Sequence, residues 1–290
     1  MNFRKILVPV VFVDTARHVL QQAAWLARRL HAEVILLHVM TPPVYPAGTL
    51  TGGREIPEEE LHALVVERAQ ADLDQIRYPE FAGIAVTRVL LRGDPAEEIV
   101  QAARDLNVDL IMMSTHGHGA FYRFLLGSVT AKILHEVACP VWTGVHLEDA
   151  PASVFSIRRV LCSVELDSHS RHTAAFAAAM ATALYATLTL VHVTAGVEYF
   201  GPGGTTVDAV WKDEILGFAA KEIAGLQKSA GTSAGVIVES GDVSQMLNKA
   251  VERSNADVLV IGHVPGRSHL GDNGNGYGII RESRVPVLSV

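Results

Sequence analysis

Residues 3–39 and 157–193 of the 290-residue chain align without a gap. Arg4/Arg158, Leu7/Leu161, Val10/Val164, Arg17-His18/Arg171-His172, Ala23-Ala24/Ala177-Ala178, Leu30/Leu184 and His38-Val39/His192-Val193 coincide. Further along, 92–114 matches 240–262 through Gly93-Asp94/Gly241-Asp242 and Asp109/Asp257, and CPVWTGV (139–145) mirrors VPVLSV (285–290). Self-similarity on this scale means one fold written twice. The expected organisation is a first domain over 1–146, a second over 157–290, and a linker over 147–156, where the apolar pattern lapses.

Within the first copy, short β-branched runs at 5–11, 33–39, 84–91, 109–114 and 140–145 alternate with helix-period segments at 15–31, 57–77, 95–106 and 128–138. Pro57 suits a first helical turn, and Glu58, Glu59 and Glu60 favour the positive end of the helix dipole. Strands apolar throughout and alternating with helices imply parallel sheets covered on both faces. The expected fold is α/β: two tandem doubly wound, Rossmann-like units, each with a five-stranded parallel sheet and helices on both faces. Such sheets bind ligands outside the carboxyl ends of their strands, where the strand order reverses.

Composition narrows the function classes. A formal charge of −7 argues against a general nucleic-acid binder, which needs a basic face. Cys139 and Cys162 are the only cysteines and sit in apolar contexts, so neither a disulfide scaffold nor a cysteine-rich zinc site is expected. No apolar run reaches the ~20 residues of a membrane helix, and MNFRKILVPV lacks a signal-peptide layout. A cytoplasmic protein is the expectation.

The stretch STHGHGAFYRFLLGSVTAKIL (114–134) follows the buried run Asp109–Met113. Gly117, Gly119 and Gly127 let backbone N–H groups approach an anion. A helix opening at Gly127-Ser128 adds unpaired donors and a favourable dipole, and Arg123, between His118 and Leu126, could reach phosphates. The same residues also suit a plain glycine-rich turn with Ser128 as a cap. The pattern is neither a Walker nor a Rossmann fingerprint.

This stretch resembles the universal stress proteins, whose nucleotide-binding members carry G-x-x-G, nine residues, then G-[ST]. Here the pattern reads Ser114-T-H-Gly117, nine residues, Gly127-Ser128, followed by Val129-Thr130, with Ser114 in place of the first glycine. ILVPV (6–10), LLHV (36–39) and CPV (139–141) are also similar to that family, and the likeness covers both halves. It implies an adenine nucleotide alpha hydrolase-like fold and a nucleotide-responsive stress regulator. The implied ligand is ATP or another adenine nucleotide, with or without magnesium. Carried over by position, Pro9 and Val10 flank the adenosine, the Val39 backbone reads the adenine edge, and Met113 and Ser114 lie beside the ribose. Gly117, Gly127, Ser128, Val129 and Thr130 would hold the phosphates. Val11 stands where the family's binders place an aspartate, and valine accepts no hydrogen bond; Asp14 is better suited to capping a helix.

The second half departs further. Glu165 takes the acidic position, Ser163 replaces the proline, and the loop reads Gly262-HVP-Gly266, nine residues, Gly276-Tyr277. The first half is expected to bind nucleotide and the second to be structural or regulatory.

Three other readings use the same residues. His116, His118, His135 and His38 invite a metal, yet no usual zinc spacing occurs. For His38 and His192, hydrogen bonding at the sheet edge serves as well as a site. An enzyme would need a positioned nucleophile or a phosphate lysine with a metal-holding acid, so slow ATP hydrolysis is the most expected. The insertions 41–60 and 194–214, the latter with Tyr199, Phe200 and Trp211, suit an interaction module of the same fold. The final strands of the two halves are expected at sheet edges. Such edges ask to be paired, between the halves or between chains, so pseudo-twofold packing of the halves and a homodimer of four such units through edge strands are expected.

Overall fold

The computed structural model describes residues 3–12, 17–41, 50–51, 54–55, 58–114, 127–144, 155–195, 209–263 and 275–290. By internal packing the chain forms two compact units, Phe3–Met113 and Ser114–Val290.

The first unit runs β1 (Lys5–Pro9), α1 (Arg17–Leu30), β2 (Glu33–Met40), a two-stranded ribbon of β3 (Leu50–Thr51) and β4 (Arg54–Glu55), then α2 (Glu58–Gln75). A 3-10 turn at Pro79–Phe81, β5 (Val86–Arg92), α3 (Pro95–Asp105) and β6 (Leu110–Ser114) follow, β6 ending at the first residue of the second unit. The main strands lie in the order β5-β2-β1-β6, all parallel. Consecutive strand residues point to opposite faces, and Ile6, Leu7 and Val8 are all buried, so both faces of β1 are covered. Helix α1 presents Val19, Leu20, Ala23, Ala24, Leu26 and Ala27 to the core. The strand order reverses between β1 and β6, which is where an open α/β sheet takes ligands.

The second unit contains α4 (Ser128–Glu136), β7 (Val141–Gly144), β8 (Arg159–Ser163), α5 (Ser170–Leu184) and β9 (Thr187–Ala195). It continues with α6 (Ala209–Ala230), β10 (Gly235–Gly241), α7 (Val243–Ser254), β11 (Val258–Ile261), α8 (Asn275–Glu282) and β12 (Val287–Ser289). Strands β10-β9-β8-β11-β12 form the five-stranded parallel sheet expected of the second copy.

Strand β7, from the first copy, pairs antiparallel with β12, from the second. The register sets Trp142 opposite Leu288, Thr143 opposite Val287 and Val141 opposite Ser289. Trp142 and Leu288 are equivalent residues of the repeat, so a local twofold axis passes between them, as in an isologous contact. The terminal strands of the two halves therefore satisfy each other within one chain.

Several repeated residue pairs acquire physical reasons. Asp94 and Asp242 are helix N-caps: Asp94 accepts from the N–H groups of Ala96 and Glu97, and Asp242 from that of Gln245. The preceding Gly93 (φ 156°) and Gly241 (φ 143°) hold backbone conformations that side chains disfavour. Asp109 Oδ2 accepts from the Arg4 N–H at 2.8 Å and the Lys5 N–H at 3.0 Å. Asp257 does the same with Arg158 at 2.7 Å and Arg159 at 2.8 Å. Each aspartate thus staples the first strand of its copy to the fourth. Asp109→Ala is expected to lower stability by about 2 kcal/mol, because two donors lose a charged acceptor. Denaturant titration measures this, and Asp109→Asn, which keeps one carbonyl acceptor, should lose less.

Candidate functional site at the carboxyl ends of the strands

In the first unit, the end of β1 is pinned from two directions. The Val10 N–H donates to the Leu37 carbonyl at 2.8 Å, and the Val10 carbonyl lies 2.8 Å from Nδ1 of His38. A carbonyl only accepts, so Nδ1 of His38 carries a proton. The second copy repeats the device: the Val164 N–H donates to Val191, and His192 Nδ1 lies 2.7 Å from the Val164 carbonyl. Both histidines thus hydrogen-bond to the backbone at the sheet edge.

Alternation along β2 determines where Val39 points. Met40 and Val34 engage the β5 side, through Gly93 and Ala85, whereas Glu33 and Leu37 engage the β1 side, through Arg4 and Val10. Val39, two residues after Leu37, turns its N–H and C=O toward the β1 side. It lies past the bond between Val10 and Leu37 that ends that stretch of ladder. Pro9 is half-buried, Val10 buried and Met113 buried at the end of β6, while Val11 is 48% and Phe12 36% exposed.

In the second unit, Gly127 is the N-cap of α4, with extended backbone (φ −60°, ψ 143°) and no side chain to cap the helix. Ser128 is exposed, Gly127, Val129 and Ser114 are half-buried, and Thr130 is buried. The Thr130 hydroxyl donates to the Ser114 carbonyl at 3.4 Å, joining the start of the helix to the end of the preceding strand. Gly127-Ser128 therefore opens a helix tied to a strand terminus, an arrangement suited to anions. Gly117 and Arg123 lie outside the described residues, as do Asp14, His116, His118, Tyr199 and Phe200.

In the second copy, Glu165 is exposed after β8. Asp167 accepts from the Ser170 hydroxyl at 2.8 Å and from the N–H groups of Ser170 and His169. Partial burial pushes its carboxyl up, but these hydrogen bonds prevail and hold it below the usual range. Tyr277 stands where the first copy has Ser128, and its hydroxyl donates to the Ala131 carbonyl of α4 at 3.3 Å. The position that offers a hydroxyl at the first helix is here turned against that helix.

Cys162 is buried, which pushes its thiol from the ordinary 9.0 to about 12. A thiol reagent at pH 8 should leave Cys162 unmodified until the protein unfolds. The folded protein keeps this proton past the pH at which the unfolded chain releases it, so stability should fall as pH rises from 9.0 toward about 12. Melting curves across that range check the sign. Among the described residues, no three His, Cys, Asp or Glu side chains converge as a metal site, and no helix is long and apolar enough to cross a membrane.

Comparison with known proteins covers the whole repeat. The model of the Universal stress protein family matches residues 2–143 and 156–290. Universal stress protein MJ0577 of Methanocaldococcus jannaschii is 32% identical over 150 residues, covering 48% of this chain and 93% of that protein. Universal stress protein YxiE of Bacillus subtilis is 30% identical over 146 residues, covering 48% of this chain and 97% of its own length. A universal stress protein from Archaeoglobus fulgidus, solved by crystallography, aligns with 99% of this chain and 97% of its own at a TM-score of 0.65. At 23% identity, that likeness speaks to the fold alone.

Proposed function

The chain belongs to the universal stress protein family, and on that premise we propose that its first copy binds an adenine nucleotide, ATP foremost. Val10, Val11 and Val39, with Pro9 and Met113, take the adenosine. Ser114 lies beside the ribose, and Gly117, Gly127, Ser128, Val129 and Thr130 take the phosphates, with Arg123 above them. Magnesium, where present, would accompany the phosphates. The observation that carries the reading is the opening of α4 at Gly127-Ser128, tied through Thr130 to Ser114. Calorimetry with ATP tests it, on the wild type and on the Gly127 variants considered below.

The protein acts as a nucleotide-responsive regulator in the cytoplasm, and hydrolysis is slow at most. Phosphate release followed over hours measures that. The second copy is structural or regulatory, a reading supported by Tyr277, which contacts the first copy's helix instead of presenting its hydroxyl as Ser128 does. A homodimer is part of the proposal. Strands β7 and β12 already pair with each other, so the dimer would use other surfaces, such as β5 and β10, the outermost strands of their units. Light scattering should give twice 31.2 kDa, and a monomer mass contradicts this part.

A further inference from the structure

β10 is the outermost strand of the second unit's sheet, bonded to β9 and, among the described residues, to no other strand. The repeat shows which of its polar groups are open. In the first copy the Val34 N–H donates to the Ala85 carbonyl and the Gly93 N–H to the Met40 carbonyl. The odd-numbered residues of β5 therefore bond β2. β10 meets β9 in the same register, Val238 opposite His192 as Leu90 is opposite His38. Val236, Val238 and Ser240 thus turn their N–H and C=O groups outward.

The outer strands of the two copies are guarded differently. Arg88 on β5 reaches α2, donating from Nε to the Leu73 carbonyl at 3.1 Å and from Nη2 to the Ile76 carbonyl at 2.6 Å. Charged side chains on an edge strand discourage further pairing. Val236 holds the equivalent position on β10 and is 42% exposed, and β10 carries no Lys, Arg or Pro. Helix α6 packs on β9, β10 and α5, so α5 covers one flank and the other faces the open edge. On this helix Phe218 is 67% exposed. The Ala234 N–H donates to the Gln227 side chain, tying the end of α6 to the start of β10. From there, the helix back to Phe218 and the strand forward to Val238 each cover about 13 Å. Phe218 and Val238 are therefore level.

A second copy of this chain supplies what this edge lacks. Val238 is the midpoint of Gly235–Gly241, so an antiparallel pair centred there overlaps the whole strand. Val238 then faces its own copy and Val236 faces Ser240, each with outward polar groups, as an antiparallel ladder requires. Glu239 faces Ile237, so no like charges meet. Because α6 rests on the last two strands, it would lie about 10 Å from its own copy, a helix-packing distance. Phe218 would be covered there.

We propose that β10 and the flank of α6 bearing Phe218 form an isologous dimer interface, the sheets of two chains joining antiparallel about Val238. This rests on the homodimer reading above and assigns its surface.

Light scattering should give twice 31.2 kDa for the wild type and 31.2 kDa for two variants, each first checked for its melting transition. Val236→Arg copies the guard of the first copy, and Phe218→Glu sets like charges across the axis. Under mild oxidation Val238→Cys should cross-link two chains, because its Cα lies about 5.5 Å from that of its copy. Val236→Cys, more than about 13 Å from its own copy, should not. The wild type, with Cys139 and Cys162, is the control. Either dissociating variant folded and still dimeric, or Val238→Cys failing to cross-link, overturns this interface and leaves the homodimer standing. A monomeric wild type overturns both.

Discussion

Replacing Gly127 by Asp is expected to remove ATP binding while leaving the protein folded. Gly127 caps α4 in an extended conformation that any residue adopts, and no side chain fills the capping role there. Aspartate is among the best residues at such a position, so helix stability should be unchanged or raised by a few tenths of a kcal/mol. Binding should respond in the opposite direction. The same carboxylate lies where the helix N-terminus would meet phosphate, and like charges brought together cost several kcal/mol. A loss of at least about 100-fold in affinity follows, since each 1.4 kcal/mol is ten-fold. Gly127→Asn separates the two effects: it has the same size and capping ability without the charge, and should bind more tightly than the Asp variant. Equal ATP binding by wild type and Gly127→Asp would show that the phosphates are not held there.

Trp142→Ala is expected to be the most destabilising single change. Trp142 is fully buried on β7, opposite Leu288 on β12, and its ring meets Phe155 edge-to-face at a centroid distance of 6.3 Å. Truncating a buried tryptophan to alanine removes about 3–5 kcal/mol. The site has a second consequence, because β7 comes from the first copy and β12 from the second. Loosening their pairing removes the contact through which the two terminal strands cover each other's edges. Thermal unfolding should show a midpoint lowered by about 10 °C, taking roughly 2–4 °C per kcal/mol for a chain approaching this size. A midpoint within about 2 °C of wild type would contradict the view that this strand pair is structurally central.

Local patterns were the most legible part of this chain. The segments 33–39, 95–106 and 109–114 correspond to Glu33–Met40, Pro95–Asp105 and Leu110–Ser114. Their apolar runs and caps lie within a few residues of one another. The repeat also pointed to residues whose reasons are local, such as Asp94 and Asp242 at helix caps. The 3-10 turn Pro79–Phe81 is not legible in the local pattern. Its place depends on distant partners: Glu80 accepts from Gln21 at 2.9 Å through its carboxylate and from Arg28 at 2.6 Å through its carbonyl. That the terminal strands would pair was foreseeable from their apolar edges. The antiparallel register with Trp142 facing Leu288 was not, because it arises from residues 146 positions apart in the chain. Within the candidate site, Val11 was conspicuous as a missing carboxylate. Phe12 carries no such mark in the sequence, since its approach to His38 brings the segment after β1 against β2 and no spacing rule reports it.

Titration of ATP into the wild-type full chain by calorimetry, read for stoichiometry, addresses the central claim most directly. The two copies share a fold, but only the first pairs Gly127-Ser128 with a helix tied to its fourth strand through Thr130. The account predicts one ATP bound per chain. Two equivalents per chain, or no binding, would contradict it.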